Sequence, residues 1–165
     1  MNLESFKNTG KPQHFLKAGA VFVALNPTII STILGSCISV CLFDKKLHYG
    51  GMNHFIFPSI DKENKALATA KYGNIAIEIL IQTFYHHGSK KENLVASIVG
   101  GAFIKSSDLS LGASKKNIIS AKKELQKFEV KIISEDTGGN KGRRLFFLSN
   151  ENKLIIQEVN KDLHF

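Results

Sequence analysis

Cys37, in Leu34-Gly35-Ser36-Cys37, and His54, in Gly50-Gly51-Met52-Asn53-His54, are the residues of this chain best placed to do covalent chemistry. A thiol becomes a strong nucleophile once an imidazole accepts its proton, so a cysteine facing a histidine can form and break a thioester. The apolar runs that carry them are joined by Asp44-Lys45-Lys46-Leu47, short and polar enough for a hairpin turn. With Lys45-Lys46 as a two-residue turn, Cys37 falls directly opposite His54, with Cβ atoms about 4.5–5.5 Å apart. A slip of one residue would send the two side chains to opposite faces. Gly35 leaves the backbone beside the thiol uncovered, and amides there could hold a developing oxyanion. The plainer reading makes Cys37 a core residue and His54 a half-buried filler.

Other chemistry-bearing residues are weaker. Cys41 lies four residues from Cys37 along one extended run, about 13 Å away. That span excludes a disulfide and a shared metal, so Cys41 reads as core and a two-cysteine redox role is disfavoured. Asp136-Thr137-Gly138-Gly139-Asn140-Lys141-Gly142-Arg143 is glycine-rich and basic, yet it lacks the spacing of a phosphate loop and no helical pattern follows it. It reads as a tight turn between strands. His86-His87 sits at an expected helix end, where imidazolium suits the dipole; adjacent helical residues point apart, which disfavours a shared metal.

The elements that must position Cys37 and His54 follow from periodicity. Residues 1–13 are polar and read as a flexible N-terminus. Leu16 to Leu25, Ser36 to Phe43 and Tyr49 to Phe57 read as strands, closed by Asn26-Pro27, the hairpin turn and Pro58. Tyr72, Ile75, Ala76, Ile79, Leu80, Thr83 and Phe84 form one helical stripe, with Gly88 at the expected C-terminal cap. Leu94 to Val99 is a further apolar run, stopped by Gly100-Gly101. Ile118, Ala121, Leu125 and Phe128 mark a second helix, capped near Ser114 or Asn117. Val130 to Ser134, Arg144 to Leu148 and Leu154 to Val159 read as strands. Two main helices and about six strands with hairpins give a single α/β or α+β layered domain.

Composition limits the function classes. The chain has 165 residues, 43% of them hydrophobic and 22% charged, which is the balance of a folded domain and not of a disordered segment. Its apolar runs fall well short of the roughly 20 residues that cross a bilayer, and the first residues carry no apolar signal core. These features predict a cytoplasmic protein with no membrane insertion. The net charge of +8 comes almost wholly from lysine, since Arg143 and Arg144 are the only arginines. Scattered lysines suit attraction to acidic protein surfaces better than base reading, so nucleic acid is not expected as a partner. With no heptad pattern, monomer is the default.

Four segments carry a resemblance. Thr32 to Asp44 together with Gly50 to Pro58, then Gly100-Gly101-Ala102, then Ser134 to Arg143, resemble the chemoreceptor glutamine deamidase family, CheD. The likeness runs from about Leu16 to Val159, with the motifs in order. It implies a three-layer α/β sandwich over residues 14–165, with mixed and antiparallel strands. It also implies a hydrolase that converts specific receptor glutamines to glutamate in chemotaxis adaptation, without cofactor or metal. By the resemblance Cys37 matches the nucleophile, His54 the general base, and Thr32 the third catalytic residue; Ser31 is a second choice for that hydroxyl. The family usually opens its second helix with Gly-x-Arg-Asn, whereas Ala113-Ser114-Lys115-Lys116 here separates Gly112 from Asn117. Implied partners are methyl-accepting chemoreceptors and a CheC-type CheY-P phosphatase. A non-enzymatic adaptor on the same fold and a cysteine protease using the same pair are the competing readings.

Overall fold

Residues that alternate along β4 (Ile38–Asp44) divide between two cores, and this division builds the layers. The structure is a computed structural model that describes residues 2–64, 66–103 and 108–160; residues 161–165, the end of the expected domain, lie outside the described residues. The elements run α1 (Leu3–Lys7), β1 (Gln13–Phe15), β2 (Val21–Ala24), β3 (Ile29–Leu34), β4, β5 (Gly50–Asn53), α2 (Gly73–His86), β6 (Leu94–Gly100), α3 (Asp108–Lys127), β7 (Lys131–Thr137), β8 (Gly142–Leu148) and β9 (Lys153–Val159). They make a five-stranded sheet, β2-β5-β4-β6-β7, and a four-stranded sheet, β1-β3-β8-β9. Ile38, Val40 and Leu42 face the helices, where they pack with Ile77, Leu80 and Phe84 of α2 and Leu125 of α3. Cys41 faces the other way, between the sheets, with Met52, Val99, Ile30, Leu34 and Phe147. Helices, five strands and four strands therefore form a three-layer α/β arrangement with mixed pairing, as expected.

Several local expectations are corrected. The β4–β5 turn has four residues, Lys45 to His48, because the Asp44 carboxylate accepts from the amides of Lys46 (2.8 Å) and Leu47 (2.9 Å). His48 closes it at φ +57°, and the Asp44 amide donates to the Tyr49 carbonyl. The ladder thus pairs Cys41 with Met52 and Phe43 with Gly50, two residues away from the expected register. Residues 3–7, read as loose, form α1, and Phe6 is buried on the outer face of the smaller sheet with Ile29, Phe146 and Leu148. Strand β3 forms in a segment without a strand pattern in the sequence.

Helix α2 ends as expected, with Gly88 at φ +93°, but its buried stripe runs through Gly73, Ala76, Ile77, Leu80, Ile81 and Phe84. Ile79 is exposed, so the stripe is turned by about one position from the one read off the sequence. Helix α3 begins well before Ser114 and Asn117. Those residues are buried inside it and serve loops instead of its N-terminus: Ser114 donates to Ala102 O, and Asn117 to Ser36 O and Ile56 O.

Candidate active site

Thr32 comes from the smaller sheet. Strand β3 lies between β1 and β8, and successive side chains of a strand alternate faces. Ile30 and Leu34 point into the inter-sheet core, so Thr32 does too, and it is buried. Ser31 opposes Phe146 and shares the outer face with Ile29, away from the larger sheet. The pleat therefore separates the two candidate hydroxyls.

His54 follows the last residue of β5 in the larger sheet. Its amide donates to Ala20 O (3.1 Å) and its carbonyl accepts from Gly19 (2.7 Å), which extends the pairing with the segment before β2. Counting from Met52, His54 points between the sheets. Cys37 ends the turn that joins β3 to β4, and it packs half-buried against the same inter-sheet core. In the observed register Cys37 is a diagonal neighbour of His54, not the directly opposite one. A shift of two residues preserves the face, because the side-chain period of a strand is two. Cys37 and His54 thus share a face although the turn that sets their pairing differs from expectation.

The Cys37 turn is held by its carbonyls. Gly35 O accepts from Ala102 N and Cys37 O from Gly101 N, each at 2.8 Å, and Ser36 O accepts from the Asn117 amide at 3.1 Å. The glycine-rich loop between β7 and β8 is the expected tight turn. It braces this corner through Gly138 N to Gly100 O and Phe103 N to Gly139 O, and Arg143 forks onto Asp136 Oδ1 through Nε (3.1 Å) and Nη2 (3.0 Å). A methyl at Gly100 would sit 2.3 Å from Cys37 O, at a φ of +115° that side-chain residues rarely adopt. Gly100→Ala is expected to destabilise by about 2–4 kcal/mol and to lower turnover per folded molecule. A thermal melt equal to wild type contradicts this.

One hydrogen bond fixes the tautomer of His54. Thr32 Oγ1 lies 2.8 Å from His54 Nδ1 and 2.8 Å from Leu16 O. A hydroxyl has one proton, and a carbonyl oxygen can only accept, so Thr32 donates to Leu16 and accepts from Nδ1–H. His54 is then the Nδ1–H tautomer, with a lone pair on Nε2 ready to take a proton. Burial pushes His54 down to about 4, so the ring is neutral near pH 7. Burial also raises the Cys37 thiol above its ordinary value, with its backbone amide opposing. Near pH 7 the thiol and the imidazole are therefore both neutral. Cys41 is fully buried and its thiol is pushed far up, as suits a core residue.

Thr32→Val keeps the shape of the side chain but leaves Nδ1–H without an acceptor. It is expected to lower turnover by about 10- to 100-fold, while Ser31→Ala changes it little. Turnover by the two variants checks this; an inactive Ser31→Ala beside an active Thr32→Val contradicts it. The sequence offered no sign of the Leu16 carbonyl or of Gly100. It did offer one of Ser114 and Asn117, which are polar residues in line with the apolar positions of α3.

No helix of the described residues is long and apolar enough to cross a membrane, and no group of three metal-ligating side chains occurs among the described residues. Known proteins agree on one relationship. The family model described as CheD chemotactic sensory transduction matches residues 56–158. A protein of Sulfurimonas denitrificans named probable chemoreceptor glutamine deamidase CheD is 37% identical over 149 residues, 89% of this chain and 94% of that protein. A similarly named protein of Trichlorobacter lovleyi is 39% identical over 134 residues, 81% of this chain and 82% of its own. The chemoreceptor glutamine deamidase CheD of Thermotoga maritima is 36% identical over 143 residues, 86% of this chain and 88% of its own. With a family model over more than half of its residues, and relatives of this identity over four-fifths or more, the chain belongs to the CheD family.

Proposed function

We propose that this protein is a protein-glutamine amidohydrolase that converts glutamine side chains of chemoreceptors to glutamate. Cys37 is the nucleophile, His54 the base and then the acid, and Thr32 holds His54 in its working tautomer. The observation that carries the reading is the Thr32–His54 bond, which leaves a neutral imidazole with its lone pair on Nε2 and on the same face as a half-buried thiol. The names of the relatives supply the substrate.

His54 takes the Cys37 proton as sulfur attacks the glutamine side-chain carbonyl, so the C–S bond forms and the carbonyl oxygen becomes an oxyanion. No carbonyl among the described residues takes up the amides of Gly35, Ser36 or Cys37, so these are the donors available to that oxyanion. The C–N bond then breaks, and His54 returns the proton to the leaving nitrogen, which departs as ammonia. Water, giving a proton to the same imidazole, adds to the thioester. The C–S bond breaks, the thiol regains its proton, and glutamate remains. Thiol, imidazole and water complete the cycle.

The same reading places the protein in the cytoplasm as a monomer, acting on helical receptor bundles during chemotaxis adaptation, with a CheC-type phosphatase as a second partner. Its test is ammonia release from a cytoplasmic receptor fragment. Release is expected from the fragment carrying its native glutamines and not from one with those residues changed to glutamate. Binding without ammonia supports the adaptor reading instead.

A further inference from the structure

Helix α3 carries polar side chains where an apolar stripe is expected. Ser114, Asn117 and Ser120 fall on successive turns of one face and are buried beside Ala121 and Leu125. Polar groups at such positions are costly unless bonded, so their partners indicate what keeps them there. Each donates to a main-chain carbonyl of another segment: Ser114 to Ala102 at 2.8 Å, Ser120 to Pro58, and Asn117 to two carbonyls at once.

Asn117 is fully buried. Its Nδ2 donates to Ser36 O at 3.1 Å and to Ile56 O at 2.9 Å. Both partners can only accept, so the amide orientation is fixed, with nitrogen toward the two loops. Ser36 immediately precedes Cys37, and Ile56 follows His54 by two residues. One amide nitrogen therefore joins the two segments that carry the thiol and the imidazole. A second consequence comes from peptide planarity. The Ser36 carbonyl and the Cys37 N–H belong to one rigid unit and point in opposite directions. Drawing the carbonyl toward α3 aims the Cys37 amide away from it.

We infer that Asn117 is a positioning residue for deamidation: its side-chain amide sets the placement of the Cys37 turn against the His54 segment and aims the Cys37 amide. The inference rests on the Cys37–His54 reading above. Asn117 touches neither the substrate nor the reacting atoms in this role; it acts through the two backbone segments it joins.

The test compares wild type, His54→Ala, Asn117→Ala and Asn117→Ser. Iodoacetamide alkylation of Cys37 is followed against pH by peptide mass, without receptor, alongside kcat and KM on a receptor fragment and a thermal melt. In wild type the imidazole sustains alkylation well below the ionisation of the thiol, whereas in His54→Ala the rate falls tenfold per pH unit there. Asn117→Ala is expected to follow the His54→Ala profile, with kcat down about 10- to 100-fold and KM within about threefold of wild type. Asn117→Ser, which keeps one donor, is expected to lie between. A lowered melt with a wild-type alkylation profile and kcat makes Asn117 purely structural and overturns the inference. If Asn117→Ala does not fold, the profile of Asn117→Ser decides. If His54→Ala itself keeps the wild-type profile, the catalytic pair is wrong and the inference falls with it.

Discussion

Cys37→Ser is expected to abolish ammonia release, by about 10⁴-fold or more, with the fold intact. A hydroxyl is far harder to deprotonate than a thiol, and an imidazole pushed down to about 4 is too weak a base to make up the difference. The half-buried position of Cys37 at a turn means that the change leaves the core packing in place. Cys41→Ser serves as the contrast. Cys41 is fully buried against Met52 and Val99, so an unpartnered hydroxyl there costs about 1–3 kcal/mol, yet turnover per folded molecule stays near wild type. Normal turnover by Cys37→Ser, or loss of turnover without unfolding by Cys41→Ser, reverses the two roles.

His54→Ala is expected to lower turnover by about 10²- to 10⁴-fold, because in the proposed mechanism the thiol loses its base and the leaving nitrogen its proton donor. The same substitution has a signature in stability. Burial lowers His54 from 6.5 to about 4 in the folded protein, while the unfolded chain takes up the proton below 6.5. Stability from the neutral ring is complete above pH 6.5 and is lost as pH falls toward 4, to the extent of about 3 kcal/mol. Wild type should therefore lose about 3 kcal/mol more than His54→Ala between those limits. Denaturant unfolding at several pH values measures this, and parallel losses in the two proteins contradict the buried neutral imidazole. The acid limb of turnover should likewise lie near pH 4 in the free enzyme.

Much of this arrangement was legible in the residues, for physical reasons that also mark where legibility ended. The runs forming β4 and β5 are rich in apolar and small residues bounded by turn signals, so the hairpin was visible. Its register was not, since the side chain of Asp44 builds a four-residue turn that lacks the Asn-Gly signature. The placement of Cys37 and His54 on one face survived because the error was an even number of residues. Strand β3 leaves no pattern in the sequence because both its faces are covered, one by the larger sheet and one by α1, which erases the alternation a half-exposed strand shows. Helix α1 has five residues, too few for a period, and it is secured by the burial of Phe6.

Which of Ser31 and Thr32 faces the inter-sheet core follows from the pleat of β3. The sequence places the α3 cap near Ser114 or Asn117 because serine and asparagine favour helix N-termini. In the folded protein, carbonyls distant in sequence claim them first.

The central claim is tested most directly by peptide-level mass spectrometry of a chemoreceptor co-expressed with wild type or with Cys37→Ser. The account predicts that wild type converts particular receptor glutamines to glutamate, leaves the receptor chain uncut, and modifies nothing when Cys37 is serine. Conversion that persists with Cys37→Ser, cleavage of the chain, or glutamines unchanged by active wild-type protein would contradict it.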